Sequence, residues 1–334
     1  MGLKIYPQWQ AWWRWFWVVS LTAMLISACN STKINHSKLP PSETPLTPCR
    51  VVQHAMGETC VPNHPKRIIT ISYQILGNAL TLGVKPIASS GSDIELNAPL
   101  IRDLSYLGNK VEGIKNIGLT NSPNLEKILQ FKPDLILAWE PVKQVYPMLS
   151  QIAPTVIIPI ADLITNWKQG FNIVAEILGE KTTAQQVLNN YNQRIQELKI
   201  ALGDRYQDKT ISVAFAYGQS AYIYVKNSFA GSILEELGLQ RPPTQDVSVH
   251  GGRIDGISEE RLELLDGDIL FFGVSDLGHT EAYESLKQKP LWKKLNAVQK
   301  GQVYLFDVTS WAGNNPLAAD AVIDDLYKYL VNTP

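Results

Sequence analysis

Three cysteines in 334 residues are too few for a disulfide-dense scaffold or a four-cysteine zinc module. Lysine and arginine total 30 against 31 aspartates and glutamates, so no net basic field exists to hold nucleic acid. Beyond residue 28 no segment approaches the ~20 continuous apolar residues of a membrane-spanning helix. Three enzyme signatures are missing: a G-x-S-x-G elbow, a P-loop and an H-E-x-x-H pair. The five histidines, His36, His54, His64, His250 and His279, are scattered, and no strand-end set for a bare divalent metal is evident. What is present, 45% apolar and 18% charged residues, is ordinary for a globular body of about two domains.

The N-terminus has a different character. Trp9, Trp12, Trp13, Trp15 and Trp17 crowd the first residues, and Lys4 and Arg14 are the only charges before Cys29. The nearly uninterrupted apolar run from Trp15 to Ala28 is too short to span a bilayer but suits the core of a secretory signal. It ends in Leu25-Ile26-Ser27-Ala28-Cys29, which resembles the bacterial lipobox, so Cys29 is the expected site of lipidation and the new N-terminus. Residues 30–48, rich in Ser, Thr, Asn, Lys and Pro, cannot bury a core and read as a tether. Cys49 and Cys60 flank a short hairpin pattern around Met56-Gly57. A disulfide suits an oxidising compartment; zinc on Cys49, His54, Cys60 and His64 is the rival, at a spacing that matches no established zinc pattern.

From Arg67 onward short β-branched runs alternate with helical patterns, which predicts parallel sheets with crossover helices. The expected first-half elements are a strand at 67–72, a helix at 76–82 stopped by Gly83, a strand from Val84, a helix at 124–131 capped by Ser122 or Asn121, and strands at 135–138 and 155–160. The second half repeats the pattern with a strand at 211–216, helices at 232–237 and 258–265, and strands at 268–272 and 303–308. Asn124-Leu125-Glu126-Lys127-Ile128 and Asp134-Leu135-Ile136 recur without a gap as Ser258-Glu259-Glu260-Arg261-Leu262 and Asp268-Ile269-Leu270. Leu82-Gly83-Val84 likewise matches Leu237-Gly238-Leu239. The fold class expected is α/β, with two homologous Rossmann-like lobes joined by a helical spine. The divisions are a signal peptide (1–28), a lipidated tether (29–48), an N-terminal lobe (49–164), the spine (165–202) and a C-terminal lobe (203–334).

Ligands of open α/β sheets bind beyond the carboxyl ends of the strands. That rule selects Tyr73 and Trp139 in the first half and Tyr217, Arg253 and Trp311 in the second. Together they would suit a large solute that is partly apolar and partly anionic. Each has a plainer reading: a strand-end Trp often serves packing, and Arg253 could pair with Asp255. Trp167 and Trp292, on helical patterns, are assigned to packing.

These residues resemble the lipid-anchored substrate-binding proteins of ABC importers for ferric siderophores, haem and vitamin B12. The resemblance spans residues 49–334. Gly118–Glu126, Lys132–Ile136 and Pro290-Leu291-Trp292 through Tyr304 carry it, and Cys49, Cys60 and Trp311 make the chain most similar to the ferric-citrate and hydroxamate binders. It implies the class III fold with a single helical spine, and a protein that captures a ferric siderophore and delivers it to an importer. Such a protein is no enzyme, has no cofactor and leaves iron ligation to the siderophore. It also implies that Glu126 and Glu260 meet Arg residues on the two permease subunits. That group often carries an Arg where this chain has Thr120; Arg253 is the candidate to supply the charge. Haem or cobalamin binding is the alternative within the fold, and an esterase built on Ser220 or Ser310 with His250 is the alternative outside it.

Overall fold

A computed structural model describes residues 48–91, 104–217, 220–274 and 279–332. The signal segment, Cys29 and nearly all of the tether lie outside the described residues, as does the Tyr217 side chain.

Strands β1 (Cys49–His54) and β2 (Gly57–Pro62) form the antiparallel hairpin, and Cys49 and Cys60 are disulfide-bonded with their Cα atoms 5.6 Å apart. The first large sheet contains β3 (Ile68–Ile71), β4 (Ala88–Gly91), β5 (Lys115–Leu119), β6 (Ser122–Pro123), β7 (Leu135–Trp139) and β8 (Thr155–Ile158), in the order β6-β5-β4-β3-β7-β8. Every pairing is parallel except β5 with β6. The second sheet contains β9 (Ile211–Tyr217), β10 (Ser220–Tyr224), β11 (Arg253–Ile257), β12 (Ile269–Val274) and β13 (Val303–Asp307), in the order β11-β10-β9-β12-β13. Apart from β6, the two sheets share one plan. The first strand sits centrally, the next two build one side, and the last two build the other.

Strand β10 departs from the expected parallel pattern, running antiparallel to both β9 and β11. Only Gly218 and Gln219 separate β9 from β10, whereas a parallel crossover needs a dozen or more residues. A second departure is the segment Glu259–Leu265. It is a 3₁₀ stretch broken at Arg261 (φ −116°), and Ser258 does not cap its backbone. Its counterpart α2 (Leu125–Gln130) is a regular helix capped by Asn124 accepting from the Lys127 N–H; the expected caps lie before it, with Ser122 in β6.

The repeated signals have structural reasons. The Asp134 carboxylate accepts the backbone N–H groups of Lys66 (2.7 Å) and Arg67 (2.9 Å), just before β3. Asp268 accepts the Thr210 N–H (3.0 Å), just before β9. Each Asp therefore fixes the start of its lobe's central strand. Helices α1 (Tyr73–Thr81) and α7 (Phe229–Glu236) end alike: Gly83 and Gly238 both have φ +77°, and the next residues, Val84 and Leu239, donate to Ala79 and Leu234 at 3.0 Å.

The spine comprises α5 (Trp167–Leu178) and α6 (Lys181–Leu202), with left-handed Gly179 (φ +80°) between them. Phe171, Val174 and Ala184 enter the first lobe's core, while Trp167, Tyr191, Ile195 and Leu198 enter the second's. Helices α3 (Tyr146–Ile152), α4 (Ile160–Ile164) and α8 (His279–Lys287) complete the intervening turns, followed by α9 (Asn296–Gln299). Two further helices follow, α10 (Val308–Trp311) and α11 (Pro316–Leu326), and α11 packs against α6 and α1.

Candidate functional site: the cleft between the lobes

Both sheets contribute walls to a cleft of about 630 Å³. The first lobe supplies Tyr73 and Gln74 at the start of α1, Thr120 after β5, Trp139 at the end of β7, and Ile160 and Ile164 of α4. Facing them are Phe215, Tyr222, Tyr224, Arg253 and Asp255 of the second sheet, with His250 on the turn before β11.

Four of the five residues selected from sequence line this cleft, in unequal positions. Trp139 is half-buried, and its indole N–H has no partner among the described residues. Arg253 is more open, with its side chain 45% exposed. Tyr73 is buried, and its hydroxyl donates to the Ala312 carbonyl across the lobes (3.3 Å). Trp311 is fully buried. It stacks on Phe306 (4.3 Å between centroids) and Phe271 (4.9 Å), and its Nε1–H donates to Asp325 at 2.8 Å. Trp311 therefore backs the wall. Burial raises the Asp325 carboxyl above its ordinary range, and the Trp311 hydrogen bond opposes the rise. Thr120 is also buried, bonded to Ser90 Oγ (2.9 Å) and donating to the Gly91 carbonyl (2.7 Å), a short polar anchor at the sheet's carboxyl edge.

Tyr217 was the second-lobe tyrosine selected from sequence. Among the described residues the second-lobe tyrosines that line the cleft are Tyr222 and Tyr224, on the antiparallel strand that the sequence reading missed; the Tyr217 side chain lies outside those residues. Phe215 stacks with Tyr222 at 4.9 Å and with Tyr224 at 5.3 Å. The available signal was the alternation Ala221-Tyr222-Ile223-Tyr224 two residues after a strand, a hairpin pattern with one aromatic face. Burial pushes the Tyr224 phenol up; Arg253 pulls against that shift and Asp255 adds to it. Behind this strand the buried Arg241 donates Nη2 to the Tyr224 carbonyl (2.5 Å) and to Gln245 Oε1 (2.6 Å). Burial draws the Arg241 pKa down to about 9. Gln245 in turn accepts the Val213 N–H at 3.0 Å, so one buried network ties β9 to β10.

The Arg253 guanidinium lies 5.6 Å from the Tyr222 ring centroid, and its Nε donates to Asp255 Oδ1 at 2.7 Å. Among the described residues no group of three His, Cys, Asp or Glu could hold a metal ion. The cleft can thus offer ring faces, hydroxyls and one ion pair to a solute.

Similarity to known proteins follows the same outline. The periplasmic binding protein family matches residues 80–308. The probable siderophore-binding lipoprotein YfiY of Bacillus subtilis is 32% identical over 329 residues, covering 95% of this chain and 97% of that one. The Fe(3+)-citrate-binding protein YfmC of the same organism is 28% identical over 296 residues, covering 88% and 89%. Among solved structures, Staphylococcus aureus SirA complexed with staphyloferrin B aligns with a TM-score of 0.72 at 29% identity, covering 84% of this chain and 98% of SirA. The two-lobed α/β plan is thus a shared one, and the chain belongs to the periplasmic binding proteins, a family that binds solutes for transport.

Proposed function

We propose that this chain captures a ferric siderophore in the cleft between its lobes and delivers it to the permease dimer of an ABC importer. The observation that carries this reading is the composition of the walls: aromatic rings from both lobes beside Arg253. A siderophore fills the iron's coordination shell with its own oxygens. The protein then has only to bind the chelate's surface, by stacking and by charge. The ligands named for YfiY, YfmC and SirA favour the same class. Trp139 and Arg253 are the proposed contacts, with Tyr73 and Trp311 holding the walls behind them.

In the same reading Cys29 carries the lipid that holds the protein on the outer side of a bacterial membrane, and residues 30–48 give it reach. Exposed Glu126 and Glu260, one on each lobe, are the proposed permease contacts. The test is a titration of tryptophan emission with ferric citrate and with ferric tris-hydroxamate and tris-catecholate chelates, beside haem and cobalamin. Saturable quenching by a ferric chelate is expected. A response to haem or cobalamin alone would overturn the reading.

A further inference from the structure

We propose that Asp255 is a specificity-determining residue that weakens the binding of polyanionic ferric chelates relative to uncharged ones; the inference rests on the siderophore reading above. Arg253 and Asp255 are two residues apart on β11, so their side chains share one face of the strand, and both line the cleft. Their contact is direct, Nε to Oδ1 at 2.7 Å, yet the side chains remain 45% and 55% exposed. A pair this open contributes at most about 1 kcal/mol to folding, so stability gives little reason for an acid beside the cleft's arginine. Its effect on a ligand is larger. An anionic group approaching Arg253 meets the Asp255 charge alongside and must displace it from Nε to take that donor. Without Asp255, the guanidinium over Tyr222 would attract anions unopposed. With it, the pair has no net charge, and each negative charge on the ligand adds a repulsion.

Chelate chemistry provides matched probes. Three hydroxamates, each singly charged, cancel the charge of Fe(III), whereas three doubly charged catecholates leave a trianion. The affinities of the wild type and of Asp255→Asn for both chelates are measured at pH 8, in low salt and in 0.5 M salt. In low salt, Asp255→Asn is expected to raise the ratio of trianion to neutral affinity about tenfold, and the gain should shrink in high salt. An unchanged ratio, or equal losses for both chelates, would overturn the proposal while leaving the siderophore reading intact. The second pattern would mean that Asp255 only positions Arg253. If neither protein binds either chelate or ferric citrate, the siderophore reading fails and the proposal fails with it. Asp255 is exposed, so the variant should melt close to the wild type, and this is checked on the same samples.

Discussion

Trp139 and Trp311 show what a single residue's position decides. Both follow strands, and the strand-end rule selects both. Whether a ring faces the cleft or packs behind it depends on tertiary neighbours that the strand-end rule does not consider, here Phe271, Phe306 and Asp325. Their alanine variants should therefore differ. Trp139→Ala should weaken chelate binding by about 1–3 kcal/mol through lost stacking, measured by titration. Trp311→Ala should cost about 3–5 kcal/mol of stability, visible in urea unfolding. An affinity loss without a stability loss in Trp311→Ala would put that ring back in the site. Asp268 gives a pH prediction. Its pKa is lowered, first by the Thr210 backbone N–H. A carboxylate depressed in the folded state contributes stability above its unfolded pKa, and that contribution is lost as pH falls through the folded value. Asp268→Ala should thus cost about 2 kcal/mol at neutral pH and progressively less toward strongly acidic pH, measured by denaturant melts across pH.

At the scale of elements, the punctuation was legible and the strand directions were not. Gly83, Gly179 and Gly238 stand where chain reversals need a left-handed residue; the sequence reading used Gly83 as a stop and matched Gly238 to it in the repeat. A Cβ at Gly83 or Gly238 would meet nothing within 4 Å, so alanine there pays only for backbone strain. Each variant should lose about 1–2 kcal/mol of stability in urea unfolding. Strand β10 escaped because the repeat suggested that the second half copies the first, whereas the two-residue gap after Tyr217 permits only a hairpin. The aromatic face of the cleft was missed with it. The N-terminal hairpin was read correctly from its turn and cysteines. It is also pinned to the first sheet: Ala55 N–H donates to the Ile157 carbonyl at 3.1 Å and Thr59 Oγ1 to the Thr155 carbonyl at 3.0 Å. Reducing the Cys49–Cys60 bond should cost about 2–3 kcal/mol by loop entropy, measured as the difference in unfolding with and without reductant.

At the scale of the whole molecule, duplication links fold to function. Two lobes of one plan, sharing a spine whose residues enter both cores, leave a cleft that neither lobe could form alone. The same duplication gives each lobe an exposed acid at the start of a helical turn, Glu126 and Glu260. Ser258 bonds Glu260 and holds its carboxyl below the ordinary range, and its own backbone N–H acts in the same direction. A two-fold permease would offer two basic sites to such a pair. Glu126→Ala and Glu260→Ala should keep ligand affinity but reduce whole-cell uptake, with the double variant lowest. Normal uptake in the double variant would leave these acids only a helix-terminus role.

The most direct test of the central claim is native mass spectrometry of the protein isolated from its iron-starved host. Ferric siderophore capture predicts a single adduct per chain whose mass contains one iron and one organic chelator, released together on unfolding. Iron bound without a chelator, or haem or a corrinoid in its place, would contradict it.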